Sequence, residues 1–341
     1  MGYWGHRLHI VLAALMILST SQCAPPNASG SAPTSANAQA SGDHSPGPTG
    51  GARSAYDHIF VIVEENTEFP DLLGNPELPT LNDLAQRFGQ ATSYYGVAHP
   101  SEPNYVALVG GNTYDIADDE PYPGHQIANP SLVDEFEQAG LTWKGYFQSL
   151  PAAGFAGTCA PSENECRYAS KHNGFLNFTH VSGDPTELAK LVPDTVLGED
   201  LVAGRVPNLS FIVPDQCHDL HGLPQCPDSD ANRAAADRYL GDTVTAITRA
   251  AMWTQGRNAI VITFDEGTSN AGCCDAIPGG GQVLTVVVTN RLAGPLLDPT
   301  PANHYALVAT IEQAFGLGCV GLTCDTAQIR PLAALFGLGI P

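Results

Sequence analysis

From residue 55 onward, two kinds of apolar pattern take turns along the chain. Short β-rich runs occupy 58–63 (HIFVIV), 91–97, 142–147, 208–213 (NLSFIV), 259–264 (AIVITF) and 283–289 (VLTVVVT). Several of them are continuously apolar, as strands covered on both faces require. Between them, 81–88, 103–109, 131–139, 185–191, 194–203, 229–253 and 303–315 read as helices; 229–253 is the longest and, like 303–315, has helically spaced apolar residues. This βαβ rhythm predicts an α/β fold: a mostly parallel central sheet with helices on both faces. No internal repeat interrupts it, so 55–341 reads as one domain.

The first 54 residues follow a different pattern. Arg7 precedes an apolar run at 9–18, and small residues lead to Cys23. Residues 1–23 therefore have the layout of a signal peptide, with a run too short to span a bilayer comfortably. Cys23 leaves two outcomes open, a lipid anchor or ordinary cleavage nearby; Gln22 stands where a lipidation site wants a small residue. Residues 24–54 are rich in Pro, Gly, Ser and Ala and read as a flexible tether. The chain is thus expected to be exported, either secreted or held at the cell surface. Eight cysteines follow Cys23, and an even number in an exported chain points to disulfides. The spacing suggests Cys159–Cys166, Cys217–Cys226 and Cys319–Cys324, leaving Cys273 and Cys274 to pair with each other or elsewhere. A zinc–thiolate site is the rival, but no paired C-x-x-C spacing supports it.

Composition narrows the function classes. With 14 Lys and Arg against 35 Asp and Glu, the formal charge is −21. That argues against a nucleic-acid grip and against an electrostatic hold on anionic lipid, both of which need clustered basic residues. Hydrophobic residues make up 43% of the 341, enough for a sizeable core.

Ligands of such a sheet bind beyond the carboxyl ends of its strands, and the polar residues gather there. Glu64, Glu65 and Asn66 follow the first run; His99, Ser101, Glu102 and Asn104 follow the second; Asp215, His218, Asp219 and His221 follow NLSFIV. Asp265 and Glu266 follow AIVITF, and His304 comes after the last strand and a loop. Carboxylates and imidazoles of this kind suit Zn, Mn, Mg or Ca, and a metal among them could assist attack on phosphorus. Ser101 stands two residues before Pro103 at a helix start, where free N–H groups attract an anion; it reads equally as a nucleophile or as an N-cap. His125 and His180 lack context and read as surface or core residues. The chain has no G-x-S-x-G, H-E-x-x-H or G-x-x-x-x-G-K-[ST] motif, and Gly279-Gly280-Gly281 reads as a flexible turn before the last strand.

Six segments occur in a telling order: Glu65-Asn66-Thr67, His99-Pro100-Ser101-x-Pro103-Asn104-Tyr105, Lys171-His172-Asn173, Asp219-x-His221, Phe264-Asp265-Glu266-Gly267 and Asn303-His304-Tyr305. Together they resemble the phosphoesterase family of bacterial phospholipases C and acid phosphatases, a branch of the alkaline-phosphatase-like superfamily. The resemblance covers nearly all of 55–320. It implies an alkaline-phosphatase-like fold and one or two divalent metal ions. It implies Ser101 as nucleophile, also placed at the metal, and Asn104 steadying a phosphate oxygen. Glu65 and Asn66 would bind metal or phosphate, and Asp265 and Glu266 would share the metal near Ser101. Asp219, His221 and His304 would complete the metal centre or contact the leaving group, and Lys171 and His172 would face the phosphate. Asp215 and His218 remain alternatives to Asp219 and His221. The expected substrate is a small phosphate ester, with no nucleic-acid partner and membrane contact only through an anchor at Cys23. A monoesterase of acid-phosphatase type, a phospholipase C-type diesterase and an inactive surface binding protein on the same fold are the competing functions. Phospholipases C of this family usually carry extra C-terminal domains, and the shortness of this chain favours the monoesterase.

Overall fold

The computed structural model describes residues 54–339. The expected signal peptide, Cys23 and all of the expected tether except Ser54 lie outside the described residues. In chain order the elements are β1 (His58–Glu64), α1 (Pro79–Arg87), β2 (Gly89–Tyr95), α2 (Ser101–Gly110), α3 (Leu132–Gln138), β3 (Trp143–Phe147), β4 (Cys159–Ala160) and β5 (Tyr168–Ala169). Then come α4 (Thr179–Ser182), α5 (Pro185–Leu188), β6 (Leu191–Pro193), α6 (Thr195–Ala203), β7 (Leu209–Val213), α7 (Asp230–Arg249), α8 (Ala251–Gln255) and β8 (Asn258–Phe264). The chain closes with β9 (Gln282–Thr289), β10 (Leu296–Asp298), β11 (Ala302–Asn303), α9 (His304–Phe315) and α10 (Ala333–Phe336).

The main sheet has the order β10-β2-β9-β8-β1-β7-β3-β6, with β11 added to β2. β1 lies at its centre, parallel to β7 and β8, with Ile59 opposite both Leu209 and Ala259. β7 and β8 are buried along their whole length and β1 nearly so, which explains their unbroken apolar sequences. β9 runs antiparallel to both of its neighbours, β8 and β2. Its start, Gln282, therefore lies at the edge where β1, β2, β7 and β8 end. β11 pairs in parallel with Tyr94 and Tyr95 at the end of β2 and brings His304 to that same edge. One reversed strand thus delivers two more loops to the place where the parallel strands already converge.

The main departures from the expected elements are local. Residues 185–191 do not form one helix: α5 stops at Leu188, and Leu191 and Val192 pair with Gly145 and Tyr146 of β3 instead. Burying two β-compatible side chains on a sheet edge outweighs their place in a helical pattern. The expected helix 229–253 divides at Ala250, whose backbone is extended (φ −66°, ψ 147°). The Asn258 side chain holds the carbonyls of Met252 and Trp253 just beyond the break. The small β4–β5 hairpin was not visible in the pattern, since two-residue strands carry no period. All eight cysteines after Cys23 are paired, as Cys159–Cys166, Cys217–Cys226, Cys273–Cys274 and Cys319–Cys324. No thiolate among them is left for zinc.

Helix α9 is buried over most of its surface, and its Glu312 clasps the loop closed by Cys319–Cys324. One oxygen, Oε1, accepts from both Val320 N (2.9 Å) and Thr323 Oγ1 (2.8 Å). Burial pushes this carboxyl up from 4.5 to about 7. Between those values the folded chain holds a proton that the unfolded chain releases, so this group makes stability fall as pH rises from 4.5 to 7. Glu312→Gln keeps the accepting Oε1 and removes the charge. The variant is expected to be more stable than the parent at pH 8 and about equal at pH 4. Urea midpoints at the two pH values check this.

Candidate active site

The site is assembled from strand ends tied to one another through their backbones. Glu65 follows β1 directly, and its N–H donates to the Asp219 carbonyl (2.7 Å), joining the loops after β1 and β7. Asp265 follows β8, and its N–H donates to the Glu64 carbonyl (3.0 Å). The Asp265 carboxylate then accepts from the backbone N–H groups of Asn66 (3.1 Å) and Glu266 (2.6 Å) through Oδ1. Asn66 has φ 55°, a left-handed conformation that Asn tolerates better than most residues, and so turns the chain sharply beside Asp265. His172 arrives from a different direction. Its segment lies flush on α2 because Gly174 has no side chain; a Cβ there would sit 2.3 Å from the Tyr105 carbonyl. The His172 ring stacks on Tyr105 with centroids 5.1 Å apart.

Glu65, His172 and Asp219 each present a ligand atom, and these atoms lie within 4.8 Å of one another. His172 Nε2 comes to 2.5 Å from Glu65 Oε1, an ion-pair contact without hydrogen-bond geometry. Glu65 Oε2, Asp219 Oδ2 and Asp265 Oδ2 are buried with no hydrogen-bond partner. Unpaired buried carboxylate oxygens are costly unless a cation compensates them. Burial and the neighbouring charge of Glu65 push Asp219 and Asp265 well above the usual carboxylate range. Burial pushes Glu65 the same way, but His172, Lys171 and His221 outweigh it and hold that carboxyl low, at about 2. Two carboxylates and an imidazole whose ligand atoms converge are a donor set for a divalent metal, with the buried Asp265 carboxylate adding charge nearby, so these residues fit the ion that the resemblance implies.

Ser101 is the first residue of α2 and is almost wholly buried. Its hydroxyl donates to Glu266 Oε1 at 3.3 Å, while Glu266 Oε2 pairs with His99 Nδ1. His99 is held in turn by Nε2, which donates to the Ser269 carbonyl (2.8 Å). Asn104 braces this loop: Oδ1 accepts from Val97 N (2.8 Å) and Ala98 N (3.2 Å), and Nδ2 donates to the carbonyls of Ala98 (2.9 Å) and Pro100 (3.1 Å). The amide is fully engaged in shaping the turn that carries Ser101. Gly279-Gly280-Gly281 is not the flexible turn its sequence suggested. Gly280 N donates to Gly96 O and Gly96 N donates to Gly281 O, each at 3.0 Å, so two backbones cross beneath the Ser101 loop.

The remaining expected site residues are divided between the cluster and its frame. Lys171 pairs with Asp119 (2.9 Å) and feels the charges of Glu65 and Asp265. His221 donates its backbone N–H to Asp219 Oδ1 (2.8 Å), and its Nδ1 donates to the Gly222 carbonyl (2.7 Å). His304 is fully buried with both ring nitrogens engaged, Nε2 at the Asp265 carbonyl and Nδ1 at the Tyr94 hydroxyl (3.2 Å). Burial lowers its pKa to about 4, so it holds the Asp265 backbone as a neutral ring. Asp215 and His218 bond each other (2.8 Å), and Asp215 also accepts from Ser149 (2.6 Å); neither is among the converging ligand atoms of Glu65, His172 and Asp219. Residue-by-residue reading missed Asp119, which hides in the acidic loop Asp118-Asp119-Glu120. It also gave His125 no context, although the ring lies 3.2 Å from both the buried Glu102 and Asp118.

Beside Asn66 and His221 lies a cavity of about 570 Å³. Its other walls combine polar residues such as Glu68, Asp71 and Arg233 with Leu72, Leu78 and Leu220. Glu68 is itself engaged there, accepting from Thr268 N (2.6 Å), Ser269 N (3.0 Å) and Gln282 N (3.0 Å).

Residues 75–318 match the model of the Phosphoesterase family. The chain is 29% identical over 282 residues to a phosphatidylinositol-3-phosphatase of Mycobacterium tuberculosis, covering 82% of this chain and 84% of that protein. It is 27% identical to a phosphate-repressible acid phosphatase of Penicillium chrysogenum, over 78% of this chain but only 61% of that longer protein. Among solved structures, a protein in the alkaline phosphatase superfamily from Vibrio parahaemolyticus superposes with a TM-score of 0.51 at 12% identity, over 78% of this chain and 70% of that one. At that identity the likeness concerns the fold alone.

The glycine crossing makes a direct test of the frame. A Cβ on Gly96 would lie 2.8 Å from Gly280 O and 2.9 Å from Asp265 O, both backbone atoms. Gly96→Ala is expected to cost about 1–3 kcal/mol in urea unfolding and to abolish turnover of a phosphate ester while the far-ultraviolet circular dichroism stays native.

Proposed function

The chain belongs to the Phosphoesterase family, a hydrolase acting on phosphate esters, and on that premise we propose an exported, metal-dependent phosphoric monoester hydrolase of acid-phosphatase kind. Ser101 is its nucleophile, and a phosphoserine is its intermediate. The observation that carries this reading is the juxtaposition of the Ser101 hydroxyl, at the start of α2 and bonded to Glu266, with the unpartnered carboxylates of Glu65, Asp219 and Asp265. Export rests on the layout of residues 1–23 and on the four disulfides. Among the described residues no helix is long and apolar enough to cross a membrane.

Glu65, Asp219, Asp265 and His172 would hold the cation. When bound, a divalent ion supplies Lewis-acid stabilisation of the charge that builds on the phosphoryl oxygens. Ser101 Oγ attacks phosphorus, its O–P bond forming as the ester O–P bond breaks, and its proton passes to Glu266 Oε1. His99 and the Ser269 carbonyl fix the orientation of Glu266. Asn104 keeps the loop in shape, and His304 anchors the Asp265 backbone. The N–H groups at the start of α2 and the Lys171 ammonium favour the phosphate dianion locally, against a chain whose overall charge is −21. Water then attacks phosphorus and frees Ser101.

The names of the two relatives above, both phosphatases, favour the monoesterase over the phospholipase C-type alternative. The near-complete set of acids and imidazoles speaks against an inactive binding protein.

Two measurements test the reading. Ser101→Ala is expected to lower kcat on 4-nitrophenyl phosphate by roughly 10³-fold or more without changing the melting temperature, and acid quench of the parent during turnover should trap phosphate on Ser101, seen by mass spectrometry. Full activity in the variant would falsify the nucleophile assignment. Chelation is expected to remove activity that an added divalent ion restores. In Glu65→Gln neither restoration nor stoichiometric metal in elemental analysis is expected.

A further inference from the structure

A carboxylate that no part of this mechanism uses lies beside the nucleophile. Asp119 Oδ1 accepts from the backbone N–H of Glu102 (3.0 Å), the amide immediately after Ser101. Its other oxygen, Oδ2, accepts from Lys171 Nζ (2.9 Å). Both donors are of the kinds that hold a phosphate: an N–H in the first turn of a ten-residue helix and a lysine ammonium. Beside them stand the unpartnered, fully buried Glu65 and Asp265 carboxylates and the Ser101 hydroxyl.

We propose that Asp119 is an internal occupant of the phosphate subsite, which substrate displaces from Lys171 and from the start of α2. This rests on the monoesterase reading. Two observations argue for it. A fixed carboxylate at this spot adds negative charge where a dianion must arrive, so it would oppose binding unless it moved away. Finally, Ser101 is only 1% exposed, so something must yield before phosphorus can reach it. Asp119 is well placed to yield, because it lies in an irregular loop between the exposed Asp118 and Glu120. While paired, Asp119 satisfies the two donors and keeps the site closed to other anions. In the liganded state a phosphate oxygen replaces each of its oxygens, and an ester too weakly charged to compete is refused. Asp119 is thus a specificity-determining residue that sets the affinity threshold for phosphate.

The test uses the full chain and inorganic phosphate as the probe. Asp119→Asn keeps an oxygen for the Glu102 N–H and removes the charge that competes for Lys171. It is expected to lower the inhibition constant of phosphate and the KM for 4-nitrophenyl phosphate by about tenfold each, with kcat changed less than threefold. Asp119→Ala carries the same expectation and substitutes for the Asn variant if that does not fold. Asp118→Asn, an identical charge change one residue away, is expected to move either constant less than twofold. Unchanged or weakened phosphate affinity in the Asp119 variants would overturn the proposal, as would an equal gain in Asp118→Asn, which would reduce the effect to net charge. A fall in kcat with KM unmoved would also overturn it, making Asp119 a support for Lys171. Calorimetric titration of phosphate into parent and variant reads the contest for the donors without turnover. A parent that binds phosphate but hydrolyses nothing would therefore defeat the monoesterase reading alone.

Discussion

Like charges buried together are the constraint around which this molecule is built. Glu65, Asp219 and Asp265 are fully buried at one edge of the sheet, and each has at least one oxygen without a hydrogen-bond partner. In a low-dielectric interior such a group is unstable by itself: protons or a cation must balance it. The fold meets part of the demand with backbone donors. Asp265 receives two N–H groups and Asp219 receives one. What remains unmet is concentrated where Glu65, Asp219 and His172 converge, the donors that could hold a cation.

Holding repelling side chains at fixed positions needs a stiff frame, and the frame is mostly backbone. The loops after β1, β7 and β8 bond one another through main-chain groups near the carboxylates. Beneath Ser101 the Gly96 and Gly280 segments approach so closely that no side chain fits between them. Asn104 and His304, both polar and wholly buried, brace the backbone of the Ser101 loop and of Asp265, His304 with its other ring nitrogen on the Tyr94 hydroxyl. Every polar atom of the Asn104 side chain is committed to the turn that carries Ser101.

The reversed strand β9 gives this arrangement its economy. Four parallel strands end at the site, and an antiparallel fifth begins there, so the loop between β8 and β9 leaves and returns at the same edge. That loop supplies Glu266, the Ser269 carbonyl that holds His99, and the glycine crossing. A fully parallel sheet would have sent the start of β9 to the opposite end, away from Ser101.

Much of this was legible in the sequence, and the limits of that legibility are physical. Buried strands are continuously apolar because both faces are covered, so β1, β7, β8 and β9 could be read directly, and the acids that follow β1, β7 and β8 fell at the edge where such sheets bind ligands. The cysteine spacing gave three of the disulfides because short loops favour closure. Direction, contact and engagement were decided only by the tertiary structure. Nothing local distinguishes a parallel β9 from an antiparallel one, or a flexible glycine turn from a crossing of two backbones. Asp119 could not be told from Asp118, since only the packing of its loop against α2 and Lys171 gives one of them two donors. His172 and His304 differ for the same reason: the His172 ring turns a nitrogen onto the Glu65 carboxylate, whereas the His304 ring is engaged at both ends by a backbone carbonyl and the Tyr94 hydroxyl. A residue's type follows from the sequence, but whether its polar atoms are already satisfied depends on which distant segments the fold brings against it.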